Sequence, residues 1–435
     1  MSALRCGLLA LLAAGVAHAQ LRIEVTSGVS DPVPIAIVPF AAAADAAPAL
    51  ALAEPASIVQ RDLEGSGRFR ALARDSIATP AAPGDRLNIE EWRAKGVDYV
   101  LLGRVSRVAA AQFAIDFELV ATTGGQRLLA ERVVFESSIA RSRNAAHRIA
   151  DRVYERIVGV RGAFATRVAY VSVDGQPPRQ SYQLIVADTD GEGARIALES
   201  RLPLMSPAWS PDGEALAYVS FEAGVSAVYV QQLRSGQRSR VSIRAGVNGA
   251  PAWSPDGKKL ALTLSGSGGN LDIYVLELAS QSLTRITDDQ GIDTEAAWSP
   301  DGAALYFTSD RSGAPQIYRL TPGTGERPQR ITFGVAYAGR PRISPDGRQL
   351  ALVIGEAGSY KIAVQDLASG ELRPLTRGRL DESPSFAPNG ALLIYAGRER
   401  SAGVLATVSV DGLTGQRLKA DRGEVREPAW GPFLR

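Results

Sequence analysis

The chain has 435 residues, more than one hydrophobic core serves, because cores stop growing near ~250–300 residues; two or three domains are expected. Charged residues make up 22% and the apolar set 45%, which excludes a disordered chain. Lys+Arg number 48 against 46 Asp+Glu, with no basic block, so a general nucleic-acid binder is not expected. A single Cys and two His exclude a disulfide framework and a Cys/His zinc site within one chain.

Residues 1–19 read as an export signal. Arg5 supplies the positive start, residues 7–16 the apolar stretch, and Ala17-His18-Ala19 a small-x-small cleavage site before Gln20. The apolar stretch is too short to span a bilayer, and no later run is long enough. The expectation is an exported, periplasmic protein with no membrane insertion. Cys6 would leave with the signal, and His147 would be the one remaining histidine.

Residues 20–33 form a flexible terminal segment in this reading. Leu21, Ile23 and Val25 alternate with Arg22, Glu24 and Thr26, followed by Ser27-Gly28 and Asp31-Pro32. An alternating terminal segment suits strand addition to another protein's sheet edge; it equally suits an edge strand of the chain's own fold. Residues 34–160 read as an α/β domain. A buried strand spans 34–40, and a helix lies within 50–65, beginning near Pro55. A short helix at 88–95 is capped by Asn88, with Glu91 three residues on. Strands follow at 98–108, 112–121 and 126–136, the last two joined by a Thr-Gly-Gly turn. Residues 142–158 are an amphipathic helix with Ala146, Ile149, Ala150, Val153 and Ile157 on one face; Arg143 and Asp151 fall largely elsewhere. His147 has no visible catalytic partners and reads as surface or packing.

Residues 166–435 form a repeat array. Trp209-Ser210-Pro211-Asp212-Gly213 returns at Trp253, at Trp298, as Ile343-Ser344-Pro345-Asp346-Gly347, as Phe386-Ala387-Pro388-Asn389-Gly390, and as Trp430-Gly431-Pro432. The intervals are 44, 45, 45, 43 and 44 residues. Each unit holds a turn, an apolar strand, a Gly-containing turn, an alternating strand and a last strand, which is the grammar of a β-propeller blade. Three strands within 168–198 lack a preceding motif, and the last motif has nothing after it. Together they complete one blade. The expected fold is therefore α+β multidomain: a small N-terminal α/β domain, then a six-bladed β-propeller closed by the C-terminal strand, which removes exposed edges. The Trp residues read as packing between blades. The ring of Asp212, Asp256, Asp301 and Asp346 reads as turn chemistry rather than a metal site.

Several segments together resemble the TolB family, periplasmic components of the bacterial Tol-Pal envelope system. They are residues 22–29 (RIEVTSGV), 34–40 (PIAIVPF), 98–101 (DYVL), 204–210 (LMSPAWS), 308–311 (TSDR) and 380–384 (LDESP). The resemblance covers essentially the whole chain after the signal. It implies a non-enzymatic scaffold without cofactors. The propeller would bind Pal, a peptidoglycan-associated lipoprotein, and the N-terminal strand would bind the C-terminal domain of TolA. It also implies a role in outer-membrane invagination at division and in envelope integrity. A monomer is expected.

The loops before the innermost strands of a propeller open on one face of its channel. Residues four and three before each Trp-equivalent form that mouth here: Met205-Ser206, Gly249-Ala250, Thr294-Glu295, Gly339-Arg340, Glu382-Ser383 and Arg426-Glu427. This small, polar ring of mixed charge suits a protein loop. The resemblance carries Asn248, Gly249, Ala250, Thr294 and Glu382 over as Pal contacts. It carries Leu21, Arg22, Ile23, Glu24, Val25, Thr26, Ser27 and Gly28 over as the TolA-binding segment. Some members have His before the Asn-Gly-Ala run, where this chain has Val247. From the residues alone, a propeller that binds a sugar, a metal or another peptide, or that gates a hydrolase, stays open. A gated peptidase would need a Gly-x-Ser-x-Gly elbow and a catalytic His in a hydrolase domain, and neither is visible. A channel cation would draw on the two or three ring carboxylates.

Overall fold

The computed structural model describes residues 21–46, 54–77, 81–266, 268–399, 402–420 and 423–434. The expected export signal lies outside the described residues. Leu21–Ser27 (β1) is followed by a mixed sheet. Val33–Ile37 (β2) pairs in parallel with Phe69–Ala71 on one side and Tyr99–Ala109 on the other. The long strands Tyr99–Ala109, Gln112–Ala121 and Arg127–Glu136 form an antiparallel meander beyond it.

Helices cover both faces of this sheet. Pro55–Gly65 (α1) begins with Pro at its first turn, where the missing N–H costs nothing. Ile89–Ala94 (α2) is capped by the Asn88 side chain, which accepts from the Glu91 N–H at 3.4 Å. Ile139–Val158 (α3) starts three residues earlier than its apolar periodicity predicts, because Ser138 caps it through the Arg141 N–H, and it ends on left-handed Gly159. α1 and α3 enclose one core with Ile35, Leu101, Ile115 and Phe117, and Trp92 of α2 seals the other face against Val100 and Leu102. Gly103 is required here. A Cβ at this position would lie 2.4 Å from the Phe40 ring. The short strand Phe69–Ala71 is not foreseen from sequence, since three residues carry no period.

The remaining strands form six four-stranded antiparallel sheets around a channel. Their innermost strands are Glu424–Trp430, Leu204–Trp209, Asn248–Trp253, Asp293–Trp298, Tyr337–Ile343 and Glu382–Phe386; we number blades 1 to 6 in this order. Blade 1 is completed by Arg167–Asp174, Ser181–Asp188 and Arg195–Ser200, so the C-terminal strand closes the ring as expected. An apolar cluster fills each of the six clefts between neighbouring blades.

The repeated motif does two jobs. Its Trp reaches the previous blade: the Nε1–H groups of Trp209, Trp253 and Trp298 donate to the carbonyls of Ala429, Ala208 and Ala252 at 3.0, 3.2 and 3.2 Å. Its Ser and Asp tie the turn. Ser210 Oγ donates to Asp212 Oδ1 at 2.5 Å and accepts from the Ala215 N–H, and Asp212 accepts from the Glu214 N–H. The same pattern recurs at Ser254, Ser299 and Ser344. Gly213, Gly257, Gly302 and Gly347 all take φ near +72°, between 71° and 74°. The Asp carboxylates are thus occupied by the turns themselves.

The second face of α3 departs from the amphipathic reading. Arg143, His147 and Asp151 are buried, because this face docks on blade 1. Arg143 bonds Asp190 at 2.5 Å and Asp188 at 3.2 Å, both on a blade 1 hairpin. His147 Nδ1 lies 2.7 Å from Asp62 of α1, and its Nε2 faces Asp188 and Asp190 at 3.8 and 3.9 Å. Burial alone would push the imidazole pKa down, but Asp62 and then Asp188 and Asp190 raise it to about 10. Asp151 caps the connection to the propeller by accepting from the Phe164 and Ala165 N–H groups, and burial pushes its carboxyl up to about 7. Asp62, His147 and Asp190 place their ligand atoms within 4.8 Å of one another, but the Arg143 guanidinium already supplies the cation.

Candidate protein-interaction surfaces

The channel mouth is built by one backbone device used six times. Each innermost strand breaks register with its neighbour between the fourth residue and the first residue before the Trp-equivalent, as between Met205 and Ala208 or Gly339 and Arg342. Inside each break one residue is left-handed: Ser206 (φ 51°), Ala250 (44°), Glu295 (56°), Arg340 (56°), Ser383 (56°) and Glu427 (50°). None is glycine, so each stores roughly 1–2 kcal/mol of strain. Bulges re-aim side chains, and repeated strain of this kind marks sites of function.

The strained positions converge on the channel. Ser206, Ala250, Glu295, Arg340, Ser383 and Glu427 line one cavity together with Arg342. Contacts run from blade to blade. The Ser206 N–H donates to Glu427 Oε2 at 2.5 Å, the Glu295 N–H to Thr263 Oγ1 at 3.2 Å and the Arg340 N–H to Thr308 Oγ1 at 3.0 Å. Arg340 pairs with Glu295 at 3.0 Å, lies 3.8 Å from Glu382 and donates to Ser383 Oγ. Burial would lower the Arg340 pKa, but Glu295, Glu382 and Glu427 outweigh it and raise it.

The expected positions separate into layers. The residues three before the Trp-equivalent form the inner ring. Those four before it do not line that cavity: Met205 and Glu382 are exposed, Thr294 Oγ1 meets Thr263 Oγ1 at 3.2 Å, and Arg426 lies 3.8 Å from Glu424. At Gly249 a Cβ would make an ordinary contact with Val247 Cγ1 at 3.9 Å, whereas at Gly339 it would meet the Tyr337 hydroxyl at 2.6 Å. Asn248 is fully buried. Its amide holds the preceding loop, accepting from Ser242 Oγ and the Arg244 N–H and donating to the Arg244 carbonyl.

Three features escape the sequence reading. Arg342 lies in the channel. Tyr337 and Tyr360 pack edge to face, 5.3 Å apart, beside Leu380 and Glu382. An apolar rim of Val247, Ile292 and Leu380 stands 42–46% exposed just before the innermost strands. The rim could have been found by reading the repeat outward, since Val247 and Ile292 directly precede strands that begin at Asn248 and Asp293.

The N-terminal segment sits elsewhere. β1 pairs antiparallel with Gly415–Ala420, the outer strand of blade 6, running from Leu21 opposite Ala420 to Ser27 opposite Gly415. It is an edge strand of the propeller, not of the α/β sheet. Glu24, Val25, Thr26 and Ser27 are exposed. Gly28 then crosses Gly67 so closely that a Cβ would lie 2.8 Å from the Gly67 carbonyl oxygen, and the Val29 N–H donates to that oxygen.

Residues 154–434 match the family profile described as the TolB beta propeller domain, and residues 21–128 match the TolB amino-terminal domain. The chain belongs to the TolB family. It is 49% identical over 425 residues to the Tol-Pal system protein TolB of Methylococcus capsulatus, covering 98% of this chain and 97% of the relative. The TolB of Xanthomonas oryzae pv. oryzae is 45% identical over 416 residues, covering 95% and 93%. The crystal structure of TolB from Acinetobacter baumannii superposes with a TM-score of 0.85 at 41% identity, covering 95% of this chain and all of that one. As a TolB-family member the chain is a periplasmic, non-enzymatic interaction module of the Tol-Pal system.

Proposed function

We propose that this TolB-family protein binds the lipoprotein Pal at its propeller mouth and the C-terminal domain of TolA through residues 20–33, supporting outer-membrane invagination at division and envelope integrity. The observation that carries the Pal assignment is the sixfold bulge. Six strained, non-glycine residues hold a mixed-charge ring in place, and an exposed apolar rim surrounds it. That arrangement suits a protein loop, with apolar contact at the border and polar register at the centre. The N-terminal strand supports the TolA assignment by its place at a sheet edge, where main-chain pairing can be exchanged for pairing with another sheet. We read residues 20–33 and 34–160 as separable from the propeller of residues 166–435.

Calorimetry on the mature protein and the periplasmic domain of its cognate Pal tests both halves. Thr294→Arg should abolish Pal binding, because it puts a long cation next to ring residue Glu295 and removes the Thr294–Thr263 contact. Deletion of residues 20–32 should leave Pal binding intact and abolish binding of TolA. Intact Pal binding by Thr294→Arg would reject the mouth. The segment is further proposed to switch between docked and released states, so Pal should alter protease access to residues 20–32; identical cleavage with and without Pal would end that idea.

A further inference from the structure

The position just before the Trp-equivalent is Ala208, Ala252, Ala297, Ser385 and Ala429 in five blades, and Arg342 in the sixth. Of these six residues Arg342 lines the channel cavity, beside Pro207, Pro251, Ala296 and Pro428. Its guanidinium donates to the carbonyl of its neighbour Pro341, at 2.8 Å. The carboxylates that face it are committed to other groups. Glu295 is paired with Arg340 and accepts from Thr308 Oγ1, and Glu427 accepts the Ser206 N–H. Among the described residues no carboxylate lies within ion-pair distance of Arg342. Burial pushes its guanidinium pKa down, against the weaker opposing pull of Glu295 and Glu427. The cavity beside it measures about 50 Å³, enough for one or two waters or a single carboxylate group. In the ring, Ser206 and Ala250 of the adjacent blades 2 and 3 carry small side chains.

We infer that Arg342 is the receptor for a carboxylate, from an Asp or Glu side chain on a loop of the docking protein, that enters the channel through the small-residue side of the ring. The guanidinium offers a planar fork of donors that matches a carboxylate. Arg340, in the same cavity, is already paired with Glu295, which leaves the Arg342 guanidinium for the incoming group. Binding then exchanges channel water for an ion pair in a low-dielectric bore, where loss of either partner is felt strongly. This inference rests on the reading of the mouth as the Pal site, and it deepens that reading by naming the group that Pal would insert.

The test is a double-mutant cycle. The affinity of the Pal periplasmic domain is measured against wild type, Arg342→Gln, Arg342→Lys and Thr294→Arg. Each Asp and Glu of Pal is changed in turn to Asn or Gln. Arg342→Gln should weaken binding roughly 30-fold or more, and Arg342→Lys should weaken it less. One Pal carboxylate variant should lose about as much, with no further loss when it is combined with Arg342→Gln. Wild-type affinity of Arg342→Gln while Thr294→Arg abolishes binding would overturn the inference and leave the mouth assignment standing. Undiminished binding by Thr294→Arg would reject the mouth itself. If Arg342→Gln fails to fold by thermal melting, the Pal variants decide, and a set in which none loses more than about threefold overturns the inference.

Discussion

The propeller mouth and the N-terminal strand are built on opposite principles. The mouth is fixed by six innermost strands that each lie against two neighbouring blades, and of its six left-handed residues Ser206, Glu295 and Arg340 are held by cross-blade hydrogen bonds from their N–H groups. β1 is held along one edge only, by pairing with Gly415–Ala420, and several of its side chains are exposed. A pre-formed site binds without paying to order itself, whereas an edge strand can exchange one partner for another. On the function proposed above, a single chain carries a rigid receptor and a detachable arm. Blade 6 carries Glu382 and Ser383 on its innermost strand and pairs with β1 at its outer strand, so one sheet connects the two regions.

The joint between the α/β unit and blade 1 is where that comparison breaks most severely. Arg143→Leu removes the cation between Asp188 and Asp190, and breaking a buried pair in this way costs about 3–5 kcal/mol. Thermal melting should fall by several degrees and separate into two transitions, with the α/β unit unfolding first. A single transition at the wild-type temperature would show that the two units are joined elsewhere.

A pH titration sharpens the same point with a smaller effect. The His147 pKa is raised in the fold to about 10, so its stabilisation is complete below the unfolded value of ~6.5 and is lost as pH rises through about 10. The Asp151 carboxyl is raised to about 7, so the fold favours its neutral form, and that preference is lost between ~4 and about 7. Both contributions fall with rising pH. The melting temperature should therefore decline by several degrees from pH 6.5 to 10, and His147→Asn should flatten the upper part of the decline. An unchanged slope in that variant would remove His147 from the account.

The arm is tested at Gly28. Gly28→Ala places a Cβ 2.8 Å from the Gly67 carbonyl oxygen, which should lift β1 from blade 6. Limited proteolysis should cut within residues 20–32 several times faster, while the melting of the propeller stays within about 0.5 kcal/mol of wild type. Cleavage at the wild-type rate would mean that β1 is held by its ladder alone. The smallest contrast lies between two glycines at one position of the repeat. Gly339→Ala meets Tyr337 and should cost about 1–3 kcal/mol, with displacement of the Tyr337–Tyr360 pair. Gly249→Ala makes only an ordinary 3.9 Å contact with Val247 Cγ1 and should stay within about 0.5 kcal/mol. Equal losses in urea unfolding would show that the Tyr337 ring yields freely.

Much of this architecture is legible in the sequence, and the reasons are physical. The Trp-Ser-Pro-Asp-Gly motif can be read because every residue in it has a job that few others can do: Trp to span the cleft, Ser and Asp to tie the turn, Gly to take φ near +72°. The inner ring is legible as a position in that repeat, which is why Ser206, Glu295 and Arg340 are found. The layer four residues before the Trp-equivalent falls outside the cavity because the bulge redirects the chain between the two, and local pattern does not announce a bulge made of Ser, Ala, Glu and Arg. The second buried face of α3 is hidden for a related reason. Arg143, His147 and Asp151 look like a solvated face until the hairpin carrying Asp188 and Asp190, distant in sequence, is placed against them. The docking edge of β1 is hidden in the same way, since strand 415–420 lies at the far end of the chain.

The most direct measurement is amide hydrogen exchange on the mature protein without partners. The account predicts that residues 22–27 of β1 exchange at least ~100-fold faster than the innermost strands Leu204–Trp209 and Asn248–Trp253, because one edge ladder protects the arm and the closed ring protects the mouth. Equal protection of β1 and the innermost strands would contradict a rigid receptor paired with a detachable arm.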